Sequence, residues 1–143
     1  MIPFRRAAAA VLAMTLATGA AQAQPAPSIY GTWMNPRGSV AVRTGQCAQE
    51  RLCGVIVWAN DEAQSDARDG GVTRLVGTAL LEDYRADGSG GWQGTVFIPD
   101  MNRRFYSKIE QVDANTMKLK GCILGGLICK AQLWKRIERL PHE

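Results

Sequence analysis

The side chains of this 143-residue chain that could do chemistry are few, and their spacing narrows what they can do. Four cysteines, Cys47, Cys53, Cys122 and Cys129, fall into two close pairs. A zinc site would need Cys-x-x-Cys spacing or a histidine nearby to complete its ligand set, and the pattern offers neither. An even number of cysteines in an oxidising compartment reads instead as disulfides. Three connectivities are possible, and the close spacing points to Cys47 with Cys53 and Cys122 with Cys129. Each pair closes a short loop, which the chain-entropy account values at roughly 2–2.5 kcal/mol. Cysteines held this way are poor nucleophiles. The single histidine, His142, follows Pro141 next to the C-terminus, where no Ser-His-Asp or Cys-His arrangement can be drawn around it. Glu82, Asp83 and Glu110 could supply paired carboxylates, but surface acids on strands have the same appearance. Gly88, Gly90 and Gly91 lack the strand-to-helix setting and the following Lys-Ser/Thr of a phosphate loop. Binding is therefore expected rather than catalysis, with no metal and no cofactor.

The oxidising compartment is itself written at the N-terminus. Arg5 and Arg6 precede an apolar run from Ala7 to Ala17, and Ala21-Gln22-Ala23 has the small-x-small pattern of a signal-peptidase site. The apolar run is well short of the roughly 20 residues that span a bilayer, so residues 1–23 read as a cleaved signal rather than an anchor. The exported protein is expected in the periplasm or outside the cell, without a membrane span once the signal is removed. Removal leaves 120 residues carrying 15 basic and 13 acidic side chains. A chain of that length supports one domain that hides roughly two-thirds of its unfolded surface. Lys118, Lys120, Lys130, Lys135, Arg136 and Arg139 gather near the C-terminus but alternate with apolar residues. Alternation belongs to the solvated faces of half-buried strands, so no nucleic-acid partner is expected.

The elements that must position these groups are strands. After a Pro-rich leader over residues 24–28, stretches rich in Val, Ile, Thr and aromatics alternate with Gly, Asp and Asn clusters. Strands are expected near Ile29–Met34, Ser39–Arg43, Cys53–Ala59, Gly77–Asp83, Gly91–Ile98, Arg103–Val112, Thr116–Gly121 and Lys130–Glu138. Gly77–Tyr84 is also compatible with a helical turn. Asn35-Pro36-Arg37-Gly38, Ala86-Asp87-Gly88-Ser89, Pro99-Asp100-Met101-Asn102 and Asp113-Ala114-Asn115 supply hairpin turns. Asn60–Arg74, crowded with Asp61, Glu62, Asp66 and Asp69, reads as a long polar loop whose acids miss the spacing of a calcium-binding EF-hand. Eight short antiparallel strands joined by hairpins form a sandwich or a barrel. The barrel is preferred over residues 29–140 because an all-β up-and-down barrel leaves no exposed edge. Its interior is just wide enough to be filled or to hold one small ligand.

Several of these residues also resemble a family. Gly31-Thr32-Trp33 in the first strand and Arg136 in the last are similar to the Gly-x-Trp and late Arg of lipocalin-like barrels, in which the indole packs beneath the guanidinium at the closed end. Leu52-Cys53-Gly54, Gly91-Trp92-Gln93-Gly94, Pro99 with Tyr106, Gly121-Cys122 and Gln132-Leu133-Trp134-Lys135-Arg136 extend the likeness. The ordered set resembles the exported bacterial domain-of-unknown-function family 2147 over essentially the whole mature chain. That resemblance implies a lipocalin-like (calycin-type) eight-stranded barrel with no established activity. Members usually carry a Lys-Asp…Asn-Pro-type segment after the third strand. Here that segment reads Ser65-Asp66-Ala67-Arg68-Asp69, so no role is carried over to it.

Two functions from different classes follow. One is a carrier or sensor that holds a small hydrophobic or amphiphilic molecule in the barrel. The other is a protein-interaction module with a filled barrel, for example a periplasmic inhibitor or envelope-stress factor gripping an envelope protein. For the first, Trp58, Trp92, Tyr106 and Trp134 are expected to line the cavity, with Gln132 meeting the ligand's head group. Residues two apart on a strand share a face, which places Gln132 and Trp134 on the side Arg136 needs to reach Trp33. The sixth strand is ambiguous, because Phe105, Ser107 and Ile109 compete with Tyr106, Lys108 and Glu110 for the interior. Export has a direct check: N-terminal sequencing of protein recovered from the periplasm should return Gln24 as the first residue. An intact Met1 would overturn the signal reading.

Overall fold

The computed structural model describes residue 21 and residues 28–141. Apart from Ala21 and Ser28, the expected signal peptide and leader lie outside the described residues, as does His142. Eight antiparallel strands follow one another in sequence order around a closed barrel. They are β1 (Gly31–Met34), β2 (Val40–Cys47), β3 (Arg51–Ala59), β4 (Ala79–Ala86), β5 (Trp92–Ile98), β6 (Arg103–Asp113), β7 (Thr116–Ile123) and β8 (Ile128–Ile137). The segment ending at Tyr84 is therefore strand and not a helical turn. β2 and β3 run longer than expected because Cys47 and Cys53 pin their far ends in a disulfide, with Cys47 opposite Arg51. Cys122 and Cys129 sit directly opposite each other on β7 and β8 and form the second disulfide.

One expectation is overturned. Asn60–Arg74 is not an irregular loop, because Asp61–Asp69 forms a helix, α1. Its start is fixed by Asn60, whose side chain accepts a hydrogen bond from the Ala63 backbone N–H at 2.9 Å. Asp61 and Glu62 in the first turn and Arg68 in the last suit the helix dipole. The acids that suggested a solvated loop are thus N-terminal helix signals. The apolar face is reduced to Ala63 and Ala67, too little for its period to stand out, yet Ala67 is buried in the core. Gly70 ends the helix against the β5–β6 turn so closely that a Cβ there would sit 2.5 Å from the carbonyl oxygens of Pro99 and Asp100.

Strand direction divides the barrel into two ends. The β1–β2, β5–β6 and β7–β8 turns and α1 gather at one, which we call the mouth. The β2–β3, β4–β5 and β6–β7 turns gather at the other. The closed half is packed solid by Trp33, Leu52, Tyr84, Ile109 and Met117, each less than 2% exposed. Closure comes from three register pairs between β1 and β8, with Trp33 opposite Arg136. The Arg136 guanidinium lies 4.2 Å from the Trp33 ring centroid. It also donates to the carbonyls of Ala114 at 2.7 Å, Tyr30 at 2.9 Å and Ser28. Beneath it, Trp33 Nε1 donates to the Ile29 carbonyl and to Thr44 Oγ1, both at 3.1 Å, and the Thr44 hydroxyl donates to Ile29 at 2.7 Å. Gly31 is required by this arrangement, since a Cβ there would collide with the guanidinium.

A cation–π contact of this kind contributes about 0.5–2 kcal/mol, depending on desolvation. A double-mutant cycle with Trp33→Phe and Arg136→Met, followed by chemical denaturation, should return a coupling energy in that range. Strict additivity of the two substitutions would mean that the guanidinium acts only through its carbonyl contacts.

Candidate functional site

The mouth half of the barrel is not filled. A cavity of about 490 Å³ opens there, within the range of pockets that take small organic molecules. Its wall is apolar: Ile56, Leu80, Val96, Phe105, Leu119 and Trp134 point inward from β3 to β8. All but Leu80 are placed by strand alternation, the core residues of the closed half lying an even number of positions away on the same face; on β4 the register is irregular and Leu80 and Leu81 are both buried. The rim is polar and carries both signs of charge. Arg37 comes from the β1–β2 turn, Glu62 and Asp66 from α1, Asp100 from the β5–β6 turn and Lys130 from β8. None of these five is in a salt bridge among the described residues. Helix α1, anchored at Gly70, narrows the opening and lends Ala63 to the wall.

The expected site residues separate into two groups. Gln132 and Trp134 both line the cavity, and Trp134 Nε1 donates to Gln132 Oε1 at 3.0 Å. The bond satisfies the buried indole, while Gln132 itself is exposed at the open end of the cavity. Trp92 also faces inward, opposite Ile109, but it packs against the core of the closed half and does not reach the cavity. Trp58 is on the outer face: it pairs with Ala41, whereas the neighbouring Val40 lines the cavity. Tyr106 is outside as well, 46% exposed, with its hydroxyl donating to Gln93 Oε1 at 3.0 Å. On β6 the inward set is Phe105, Ser107 and Ile109. Thus Trp58, Trp92 and Tyr106 do not join Gln132 and Trp134 at the cavity. Sequence reasoning left Phe105 as an alternative to Tyr106 and missed Leu119 and the role of the rim charges. The closed-end pattern of Ile109 and Met117, continued by twos toward the mouth, would have found both Phe105 and Leu119.

The carboxylates weighed as catalysts do not converge on this cavity. Glu82 holds Arg104 through two hydrogen bonds of 2.8 and 3.1 Å, and Asp83 pairs with Arg51. Glu110 faces Lys118 across the β6–β7 ladder. Among the described residues no group of three or more His, Cys, Asp or Glu could hold a metal ion. Below the cavity, Tyr84 Oη and Ser107 Oγ are buried without a hydrogen bond. Burial holds the Tyr84 phenol well above its ordinary pKa. The Ser107 hydroxyl, near it but outside hydrogen-bonding geometry, offsets part of that rise, and Glu82 adds slightly to it.

Eight antiparallel strands in sequence order, closed between first and last and open at one end, define a lipocalin-like barrel. The chain belongs to the family described as "Uncharacterized protein conserved in bacteria (DUF2147)", whose match covers residues 31–136, from the glycine of Gly-Thr-Trp to the arginine that closes on it. Among solved structures it is similar to protein HP1028 from the human pathogen Helicobacter pylori, which belongs to the lipocalin family. The TM-score is 0.61 at 13% identity, over 78% of this chain and 84% of that one. At that identity the likeness speaks for the fold alone. None of the curated proteins matches.

The buried phenol sets a pH limit on stability. Below about pH 10 Tyr84 is neutral in both the folded and the unfolded chain. At higher pH the unfolded chain ionises while the folded one resists, so stability falls as pH rises. Tyr84→Phe keeps the ring, removes the unpartnered oxygen and should move the alkaline unfolding midpoint upward. At pH 7 it should be neutral or stabilising by up to about 1 kcal/mol. An unchanged alkaline midpoint would show that another group governs that transition.

Proposed function

We propose that this protein is an exported binding protein, periplasmic or secreted, that holds one small hydrophobic or amphiphilic molecule in the mouth half of its barrel. The observation that carries this reading is the cavity of about 490 Å³, apolar along its wall and charged at its rim. An amphiphile fits that division, with its chain against Phe105, Leu119 and Trp134 and its head group at Gln132 and the rim. Ion pairs do not occupy the rim charges among the described residues, so they remain available to a head group of either sign. The two disulfides are in keeping with an oxidising compartment. A filled interior would favour an interaction module, and the interior is filled only in its closed half.

Delipidated, correctly oxidised protein should show a saturable change in tryptophan fluorescence with long-chain fatty acids or isoprenoid alcohols, because Trp134 lines the cavity. Ala63→Trp, which plugs the opening from α1, should weaken that response at least about tenfold. Gln132→Leu should weaken binding of polar-headed ligands by roughly 1–2 kcal/mol and leave hydrocarbon-like ones unaffected. Absence of saturable binding across such a panel would end the carrier reading and leave the interaction module.

A further inference from the structure

The two most exposed large apolar side chains among the described residues are neighbours in space at the mouth. Leu127 is 86% exposed and Leu124 67%, and both sit on the turn between β7 and β8. Ile123 and Ile128 flank them, 43% and 55% exposed. With Gly125 and Gly126 between the leucines, six consecutive residues carry no side-chain atom able to hydrogen-bond. Scattered exposed aliphatics are ordinary, but a contiguous projecting set is not. The Cys122–Cys129 disulfide clamps the base of this tip, and a backbone hydrogen bond from Leu127 N to the Leu124 carbonyl closes it.

The charge on the β7–β8 hairpin itself has one sign, with Asp100 on the neighbouring β5–β6 turn at the same mouth. From Ala114 to Ile137 the chain contains no Asp or Glu; of the basic side chains there, Lys120 and Lys130 stand toward the mouth, whereas Lys118, Lys135 and Arg136 lie toward the closed end. Lys120 precedes the tip and Lys130 follows it. Arg103 and Arg104 line a cleft shared with Leu124, Gly125 and Gly126, Arg104 being engaged with Glu82. The acids of α1 belong to the β3–β4 connection, which lies across the barrel from the β7–β8 hairpin in the strand order.

We propose that the β7–β8 tip is a membrane-docking element that seats Leu124 and Leu127 at the headgroup–acyl boundary of a bilayer containing anionic lipid, with Lys120, Lys130 and Arg103 against the phosphates. Aliphatic side chains backed by basic ones are the combination that binds such interfaces, where apolar burial and attraction to anionic headgroups add. A protein partner suits the tip less well. Interface anchors are enriched in Trp, Tyr and Arg and poor in Leu; residues 123–128 carry no aromatic or side-chain hydrogen-bonding group, and Tyr106, which with Phe105 lines the cleft beside Leu124, already donates its hydroxyl to Gln93. The inference does not depend on the cavity holding a ligand.

The test is flotation of the protein, as recovered from cells after export, with vesicles of equal parts phosphatidylethanolamine and phosphatidylglycerol or of phosphatidylcholine alone. The wild-type protein should float with the anionic vesicles, less with phosphatidylcholine, and less again as salt is raised. Leu124→Asn/Leu127→Ser changes only exposed side chains and places Asn where Leu124 has a φ of 52°, a conformation Asn tolerates. It should bind at least about tenfold more weakly. Leu127→Trp should retain binding and gain a blue-shifted emission when anionic vesicles are added. The proposal is overturned if the wild type does not float with anionic vesicles, or if the double variant floats equally well. It is also overturned if the tip cross-links to a protein while vesicles leave the Leu127→Trp emission unshifted.

Discussion

The packing of Arg136 on Trp33 is the contact on which the rest of the barrel depends. β1 is only four residues long and meets β8 through three register pairs, a thin seam for closing an eight-stranded sheet. The guanidinium reinforces it from one point, lying on the indole face while binding carbonyls of the chain before β1 and of the β6–β7 turn. Charged donors on backbone carbonyls are among the stronger hydrogen bonds available to a protein. If this seam opened, β1 and β8 would become free edges able to pair with other chains. Gly31, Trp33, Thr44 and Arg136 therefore act as one unit, and Gly31 is glycine because the guanidinium occupies the space a side chain would take.

The position of the cavity follows from that seam. Large side chains concentrate beneath it, and Trp33, Tyr84, Trp92, Ile109 and Met117 leave no room in the closed half. Toward the mouth Val40, Val96, Gly121 and Gln132 stand between Phe105 and Trp134 on the inward face, and the space these smaller or polar residues leave is the cavity. A barrel of eight strands can be filled or can hold one ligand, and here the taper of side-chain size does both in separate halves. The unpartnered hydroxyls of Tyr84 and Ser107 lie on the filled side of that boundary, where a buried polar group destabilises unless water or a neighbour reaches it.

The sequence made the sheet legible and the mouth obscure, for a physical reason. Strands that bury one face must alternate, and turns that join them need Asn, Asp, Gly or Pro, so β5, β6 and the hairpins at Pro99–Asn102 and Asp113–Asn115 stand out. The two disulfides follow from spacing and compartment. Helix α1 does not stand out, since a nine-residue polar helix whose apolar face is two alanines has no strongly apolar residue to mark that face, and its identity rests on the Asn60 cap. Tyr106 illustrates the other difficulty: Tyr106 and Phe105 are both credible interior residues, and a one-residue choice of register sends every side chain of the strand to the opposite face. Trp58 shows that a tryptophan in a strand is not thereby inside: it lies two residues after the inward Ile56, but the irregular register that pairs Val42 with Ile56 and Ala41 with Trp58 turns it to the outer face.

Charge is distributed around the mouth by connection, not by chance along the chain. α1 can carry Asp61, Glu62 and Asp66 because its N-terminus favours acids. β7 can carry Lys118 and Lys120 because its outer face is solvated and their long stems cover neighbouring apolar surface, and β8 carries Lys130 at the open rim of the cavity. The strand order puts these two elements on opposite sides of one opening. The result is a rim that is acidic where a helix narrows the entrance and basic where an aliphatic turn projects beyond it. A molecule entering the barrel must pass between them. An anionic head group would be drawn toward Lys130 and away from Glu62 and Asp66, whereas a cationic one would be drawn the other way. On the proposed reading, an amphiphile would be oriented by this division of charge at the entrance before any specific contact inside the cavity is made.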